Sequence, residues 1–332
     1  MKHMISWLLV MALTLGVLSG CQPAAPSTNA QNPNEDKLKV VATIFPPYDF
    51  VREIAGDKVE LFQLLPPGAE SHSFEPTPQD MIKIQECDVF IYVGGDSDAW
   101  VEHILESVDT SNKKIIALTE TVETVEEEMV EGMEHEDEED HDHEEESDHE
   151  HEEEHQHEKD EHVWTSPKNA MKIVQALSDA LCEADSVHAS AYEAGTATYL
   201  EKLTELDNAF AKIVAEGSRK TLVFGDRFPF RYFVDTYGLD YSAAFSGCST
   251  QTDASAATVA FLIDRVKSEN IPVVLHIELS NQKIADTVCE ATGAKKLLFH
   301  SCHNVTKEDL EAGDGYLSLM TKNLDALKEA LN

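Results

Sequence analysis

The stretch HASAYEAGTATYLEKLTELDNAFAKIVAEG, residues 188–217, decides how the rest of the chain is arranged. Within it Tyr199, Leu203, Leu206, Phe210 and Ile213 recur at alternating spacings of four and three, which places them on one helix face. No proline interrupts the stretch. At about 1.5 Å per residue such a helix covers roughly 40 Å, enough to run the height of two domains. Gly195 allows a break, so the helix is either continuous or divided there. In both cases a rigid helical linker replaces the flexible strand hinges common between paired lobes.

On either side of this linker, strand and helix signals alternate. Before it, Lys39–Phe45, Val59–Leu65, Asp88–Val93 and Lys114–Leu118 are apolar, β-rich runs closed by proline, glycine or polar residues. Tyr48–Ala55, Pro78–Gln85 and Ala99–Ser107 between them have helical patterns. After it, strands are predicted at Thr221–Phe224, Leu239–Phe245, Val273–Ile277 and Lys296–Phe299. Helices are predicted at Ser255–Asn270, Asn281–Thr292 and Gly315–Leu331. Alternation of this kind predicts two α/β lobes with mostly parallel sheets, residues 37–187 and 218–332, joined by the helix 188–217.

The N-terminus reads as a processing segment. A charged Lys2 precedes an apolar run, Ile5–Val17, too short for a membrane span, so residues 1–20 are predicted to be a signal peptide. Leu18-Ser19-Gly20-Cys21 resembles the bacterial lipobox, which implies lipidation of Cys21. Residues 21–36, rich in Pro, Ala, Asn, Gln and Ser, then form a flexible tether, leaving the mature protein extracytoplasmic and held at the cell membrane.

The net charge of −38 argues against nucleic-acid and anionic-lipid partners and favours cations. Much of it sits in residues 134–161, which contribute −17, inside a predicted disordered loop at 123–161. Among the cysteines there is no CxxC pair, so a structural zinc knuckle is not expected. Cys248 and Cys302, in polar loop-like stretches, are the expected disulfide; Cys87, Cys182 and Cys289 read as buried small hydrophobes.

Two segments carry chemistry. His72 follows a strand and the stiff turn Pro66-Pro67-Gly68, at the sheet edge where open α/β folds bind ligands. His162 lies just before a helix start at which Ser166 is a plausible N-cap and Pro167 occupies N1. Taken singly, each is as compatible with a solvated loop histidine as with a ligand. Together, His72-x-x-Glu75-Pro76-x-Pro78-x-Asp80 and His162-x-Trp164-x-Ser166-Pro167-x-Asn169-Ala170 resemble the metal-specific solute-binding proteins of ABC transporters, the family of zinc-binding (ZnuA-type) and manganese-binding lipoproteins. Tyr232-Phe233, Tyr237-Gly238-Leu239 and Asp314–Met320 extend the likeness over the mature chain.

That resemblance implies one metal in a cleft between two lobes, with His72 and His162 as its first ligands. The chain departs from the pattern elsewhere. Zinc-type relatives have a third histidine where this chain reads Gly225-Asp226-Arg227, so Asp226 is the expected ligand there, with Arg227 an alternative partner for its charge. His300 stands at the position of a late aspartate, with His303 three residues on; His300 is the expected fourth ligand. Glu278 is a further acid after a strand, equally suited to a structural role.

The acidic run holds His135, His141, His143, His149, His151, His155 and His157, which offer many weak, exchangeable ligand sets. Zinc-type members of the family carry such a loop. The expected function is therefore Zn²⁺ capture for an ABC permease and its ATPase, by a monomer whose affinity falls at low pH as the histidines protonate. A manganese-binding subunit and a surface metal-buffering or adhesin lipoprotein are the alternatives, and ligand type alone also admits Ni²⁺, Cu²⁺ or Co²⁺. An enzyme is not expected: there is no His-Glu-x-x-His and no nucleophile elbow.

Overall fold

Each predicted strand run forms a strand, and the eight assemble into two all-parallel sheets. The computed structural model describes residues 37–70, 74–134 and 159–332. The first sheet comprises β1 (Leu38–Ala42), β2 (Val59–Gln63), β3 (Val89–Tyr92) and β4 (Lys114–Ala117), in the order β2-β1-β3-β4. The second comprises β5 (Thr221–Phe228), β6 (Asp240–Ser246), β7 (Val273–His276) and β8 (Lys295–Leu298), in the order β6-β5-β7-β8. Both orders reverse once, between β1 and β3 and between β5 and β7. At such a point the crossovers diverge to opposite faces and leave a crevice beyond the strands' carboxyl ends.

Helices cover the sheets. In the first lobe these are α1 (Phe45–Ala55), α2 (Pro78–Glu86), α3 (Ala99–Ser107) and α4 (Pro167–Ala184). The linker is α5 (Ala189–Glu216), and α6 (Arg231–Tyr237), α7 (Ala256–Glu269), α8 (Lys283–Thr292), α9 (Lys307–Ala312) and α10 (Tyr316–Ala330) follow it. Pro46 and Pro47, where a strand was expected to stop, fall in the first turn of α1, the one place a helix accepts proline. Thr77 caps α2 in a reciprocal box with Asp80, and Thr306 does the same for α9 with Asp309. Ser166 stands at the N-cap of α4, but its hydroxyl bonds Thr236 Oγ1 (2.8 Å) rather than the helix backbone.

The linker α5 is unbroken over 28 residues. It buries Tyr192, Thr196, Tyr199, Leu203, Leu206, Phe210 and Val214, the stripe anticipated except that Val214, not Ile213, completes it. Gly195 does not break the helix. A Cβ there would lie 2.2 Å from the carbonyl oxygen of Ile54, so glycine lets α5 sit directly on the end of α1. One continuous apolar core takes in Phe50, Trp164, Tyr199, Phe210, Phe224, Phe299 and Tyr316, drawn from both lobes and the linker.

The signal peptide, Cys21, the tether, His72 and the seven histidines of the acidic run lie outside the described residues. The stems of that run are described. Glu134 N–H donates to Ala244 O (2.9 Å), and its carboxylate accepts from Ser255 N–H (2.7 Å) and the Thr258 hydroxyl (2.8 Å) on the second lobe. Lys159 pairs antiparallel with Glu126.

The expected Cys248–Cys302 disulfide is absent; both are free thiols. Cys248 follows β6 and Cys302 follows β8, the two outer strands of their sheet. Three strand spacings of about 4.8 Å separate them, roughly twice the Cα–Cα distance a disulfide tolerates.

Candidate metal centre

Every segment singled out for chemistry leaves a strand at its carboxyl end or, like residues 160–166, lies against such ends. A narrow cavity of about 20 Å³ opens there, lined by Ala69 and Glu70 from the first lobe, His162, Arg227, Glu278, Ser301, His303 and Asn304. That is room for a single water- or ion-sized occupant.

His162 is completely buried. Its backbone N–H and its Nδ1 both meet Asp160 Oδ1, at 2.8 and 3.1 Å. The carboxylate accepts the hydrogen bond from Nδ1–H, so in the neutral ring Nε2 is the lone-pair nitrogen, as a metal ligand requires. Burial alone would depress the imidazole's pKa; the carboxylates of Asp160, Glu161 and Glu127 outweigh it and the net shift is upward. The ring is gripped tightly: a Cβ at Gly247 would lie 3.1 Å from its Nδ1 and Cε1. Tyr232 ties this segment down by donating to Asp160 O (2.6 Å) and accepting from Val125 N–H (3.3 Å).

The imidazole facing His162 is that of His303, not His300. The His162 and His303 rings meet edge-on with centroids 5.2 Å apart, and His303 also packs on Trp164 at 5.0 Å. Trp164 in turn donates Nε1–H to Ser301 O (2.9 Å), fixing the loop that carries His303. His300 is turned into its own loop. Its Nδ1 accepts from Cys302 N–H (2.9 Å), its Nε2 is buried without a hydrogen-bond partner, and it does not line the cavity. The backbone makes this switch at Cys302, whose φ of 61° turns the chain sharply just before His303. His300 was expected because it stands at the position of the family's late aspartate, and nothing in residue spacing announces the left-handed cysteine that turns the chain after it.

Asp226 does not face His162 either. Its Oδ1 accepts from Arg227 N–H (2.9 Å) and its Oδ2 from Ile277 N–H (3.2 Å), and it borders a separate hollow with Thr250 and Ser280. A register shift in β5 between Phe224 and Arg227 interrupts the ladder, and the carboxylate serves as the staple to β7. Burial raises its pKa, only partly offset by these donors. Arg227 pairs not with Asp226 but with Glu70, at 3.2 and 3.0 Å. Glu278 holds Ser301 N–H (2.8 Å), the Ser301 hydroxyl (2.6 Å) and His303 N–H (3.1 Å), the structural role open to it.

His72 is two residues beyond Glu70 in sequence. The described stem of its loop is clamped beside His303: Asn304 Nδ2 donates to Pro66 O (2.8 Å) and Ala69 O (2.9 Å), and Gly68 N–H to Val305 O (2.8 Å).

A further donor group surrounds His162. One donor atom each of Glu161, His162 and Cys248 lie within 4.8 Å of one another. Glu161 is held by Ser97 N–H (3.2 Å) and the Ser97 hydroxyl, and burial, followed by the nearby carboxylates, keeps the Cys248 thiol protonated. As donors both were missed in the sequence: Cys248 was assigned to a disulfide and Glu161 was given no role, because neither stands in a ligand motif.

Comparison with known proteins agrees with this architecture. The family described as zinc-uptake complex component A, periplasmic, matches residues 40–330. A zinc-binding lipoprotein of Streptococcus pneumoniae, AdcA, is 33% identical over 320 residues, covering 96% of this chain. The chain spans 60% of that relative's length. The high-affinity zinc uptake system protein ZnuA of Bacillus subtilis is 31% identical over 326 residues, covering 98% of this chain and 97% of its own. The Zn(II)-bound ZnuA-like domain of pneumococcal AdcA superposes with a TM-score of 0.71 at 30% identity, over 89% of this chain and 99% of that domain.

Proposed function

This chain belongs to the zinc-uptake complex component A family, and on that premise we propose that it captures Zn²⁺ outside the cytoplasm and delivers it to an ABC-type permease and its ATPase. The observation that carries the reading is the meeting of His162 and His303 at an ion-sized cavity, with Asp160 holding His162 in the ligating tautomer. His72, from the loop whose stem lines the same cavity, completes a set of three neutral imidazoles suited to Zn²⁺. Both relatives are named for zinc rather than manganese, which supports zinc as the cargo. The lipobox-like Leu18-Ser19-Gly20-Cys21 makes Cys21 the proposed lipid anchor, and no helix among the described residues is long and apolar enough to cross a membrane. The histidines of the acidic run serve as weak collecting sites. In place of Asp226 and His300, the ligand set takes His303.

The test is a zinc titration of the whole chain against a chromophoric chelator. Wild-type protein is expected to take up one ion tightly. His162→Ala should weaken that uptake by more than about 100-fold, beyond what loss of an outer-shell partner does. Equal affinity in the two proteins would remove the cavity from consideration.

A further inference from the structure

Beside the zinc cavity lies a donor set that the zinc-binding reading leaves unused. One donor atom each of Glu161, His162 and Cys248 lie within 4.8 Å of one another, and of the three only His162 lines the cavity. The donors come from two places in the fold: Glu161 and His162 from the segment before α4, Cys248 from the loop after β6.

Each donor is held from behind. Glu161 accepts from Ser97 N–H (3.2 Å) and from the Ser97 hydroxyl. It sits so close to the backbone of the first lobe that a Cβ at Gly95 would lie 2.4 Å from its Oε2. Cys248 N–H donates to Glu127 Oε1 (2.8 Å), which fixes the turn that carries the thiol. Asp160 anchors His162 through its backbone N–H and its Nδ1. Donors fixed in advance lose little freedom when they gather round an ion.

The chemistry of this set differs from that of the cavity. The charges that act most strongly on His162 and Cys248 are carboxylates, those of Asp160, Glu161 and Glu127. A dication leaving water needs such charge at close range. As it binds, the Cys248 thiol gives its proton to water and the sulfur takes the metal. Thiolate and Glu161 carboxylate together then match a charge of two, which imidazoles alone do not. Sulfur donors favour soft cations, whereas imidazoles suit zinc and its neighbours. Glu161 and His162 are buried and Cys248 is only partly covered, so the sulfur is the point of entry.

We propose that Glu161, His162 and Cys248 form a second metal position, for thiophilic cations, and that it shares His162 with the zinc site. A neutral imidazole has one lone-pair nitrogen, so His162 serves one cation at a time. A thiophilic cation that settles on Cys248 therefore displaces zinc instead of joining it. The sharing, though not the position itself, rests on the zinc-binding reading.

The test titrates cadmium into the full, reduced, metal-free chain and follows the sulfur-to-metal charge-transfer absorption. Cadmium and zinc affinities are read separately against a chromophoric chelator, with each protein's melting temperature recorded. One equivalent of cadmium should develop the band in wild type. Cys248→Ser, which keeps Cys87, Cys182, Cys289 and Cys302, should lose the band and bind cadmium more than about tenfold more weakly. Its zinc affinity should stay within about threefold of wild type. Glu161→Gln should keep the band with cadmium affinity about tenfold lower. The histidines of the acidic run carry no sulfur and cannot produce the band. Zinc-loaded wild type given cadmium and then desalted should show the band and have lost its zinc. The proposal is overturned by no band in wild type, a band that persists in Cys248→Ser, wild-type cadmium affinity in either variant, or a full band with zinc retained. If Cys248→Ser does not fold, Cys248→Ala replaces it with the same expectations. Wild-type protein that takes up no zinc would refute the zinc-binding reading, while the cadmium band still decides whether the second position exists.

Discussion

The two sheets share one topology and end in matching acids, yet their edges are put to different uses. In the first sheet Asp98 sits at the reversal between β1 and β3, accepting from Val93 N–H at 2.6 Å and the Thr43 hydroxyl at 3.5 Å. In the second, Asp226 sits at the reversal between β5 and β7, accepting from Ile277 N–H. Both are buried and both pKa values are raised, by burial first in each case. Each staples two strands where the ladder stops, and neither lines the cavity with His162. The edges diverge in their outer loops. The loop after β2 brings Glu70 and leads to His72, whereas the loop after β8 is folded inward by Glu278 and turned at Cys302 to present His303. A carboxylate at the end of a central strand is thus a mark of construction here. The proposed ligands lie instead on loops of the outer strands and in the segment before α4.

The largest effect that would sharpen this comparison is on folding. Asp226→Ala leaves the Ile277 N–H buried without its acceptor and should cost about 2–3 kcal/mol of unfolding free energy. Zinc affinity of the folded variant should stay within about threefold of wild type. Chemical denaturation paired with zinc titration reads both, and a large affinity loss at unchanged stability would make Asp226 a ligand after all.

A smaller effect concerns Asp98, whose pKa is raised from 3.8 to about 6. The folded carboxyl holds its proton more tightly than the unfolded one, so stability should fall as pH rises through this window and level off above it. Relative to Asp98→Asn, wild type should lose on the order of 2 kcal/mol between about pH 4 and pH 7. A difference that stays flat across the range would contradict the assigned burial of the charge.

Most of the fold was legible because its signals are local. Apolar runs of four to eight residues bounded by Pro and Gly became the strands, and the four-three spacing of Tyr199, Leu203, Leu206 and Phe210 became the buried face of α5. The entry to α4 beside His162 was legible too, marked by Ser166 and Pro167. What could not be read were properties of pairs distant in sequence. Asp226 is committed to Ile277, 51 residues away, and Arg227 to Glu70, 157 residues away. The choice between His300 and His303 turns on one positive φ at Cys302, a residue type with no preference for that conformation. Cys248 and Cys302 looked alike in sequence because strand order, which separates them, is a tertiary fact.

The central claim is that the metal is held between His162 and the far loop through His303 rather than His300. Zinc affinity of His303→Ala and His300→Ala, measured side by side on proteins shown to be folded, tests it most directly. His303→Ala should bind more than about 100-fold more weakly than wild type, while His300→Ala should stay within about threefold. Strong loss in His300→Ala with near-normal binding in His303→Ala would contradict the account.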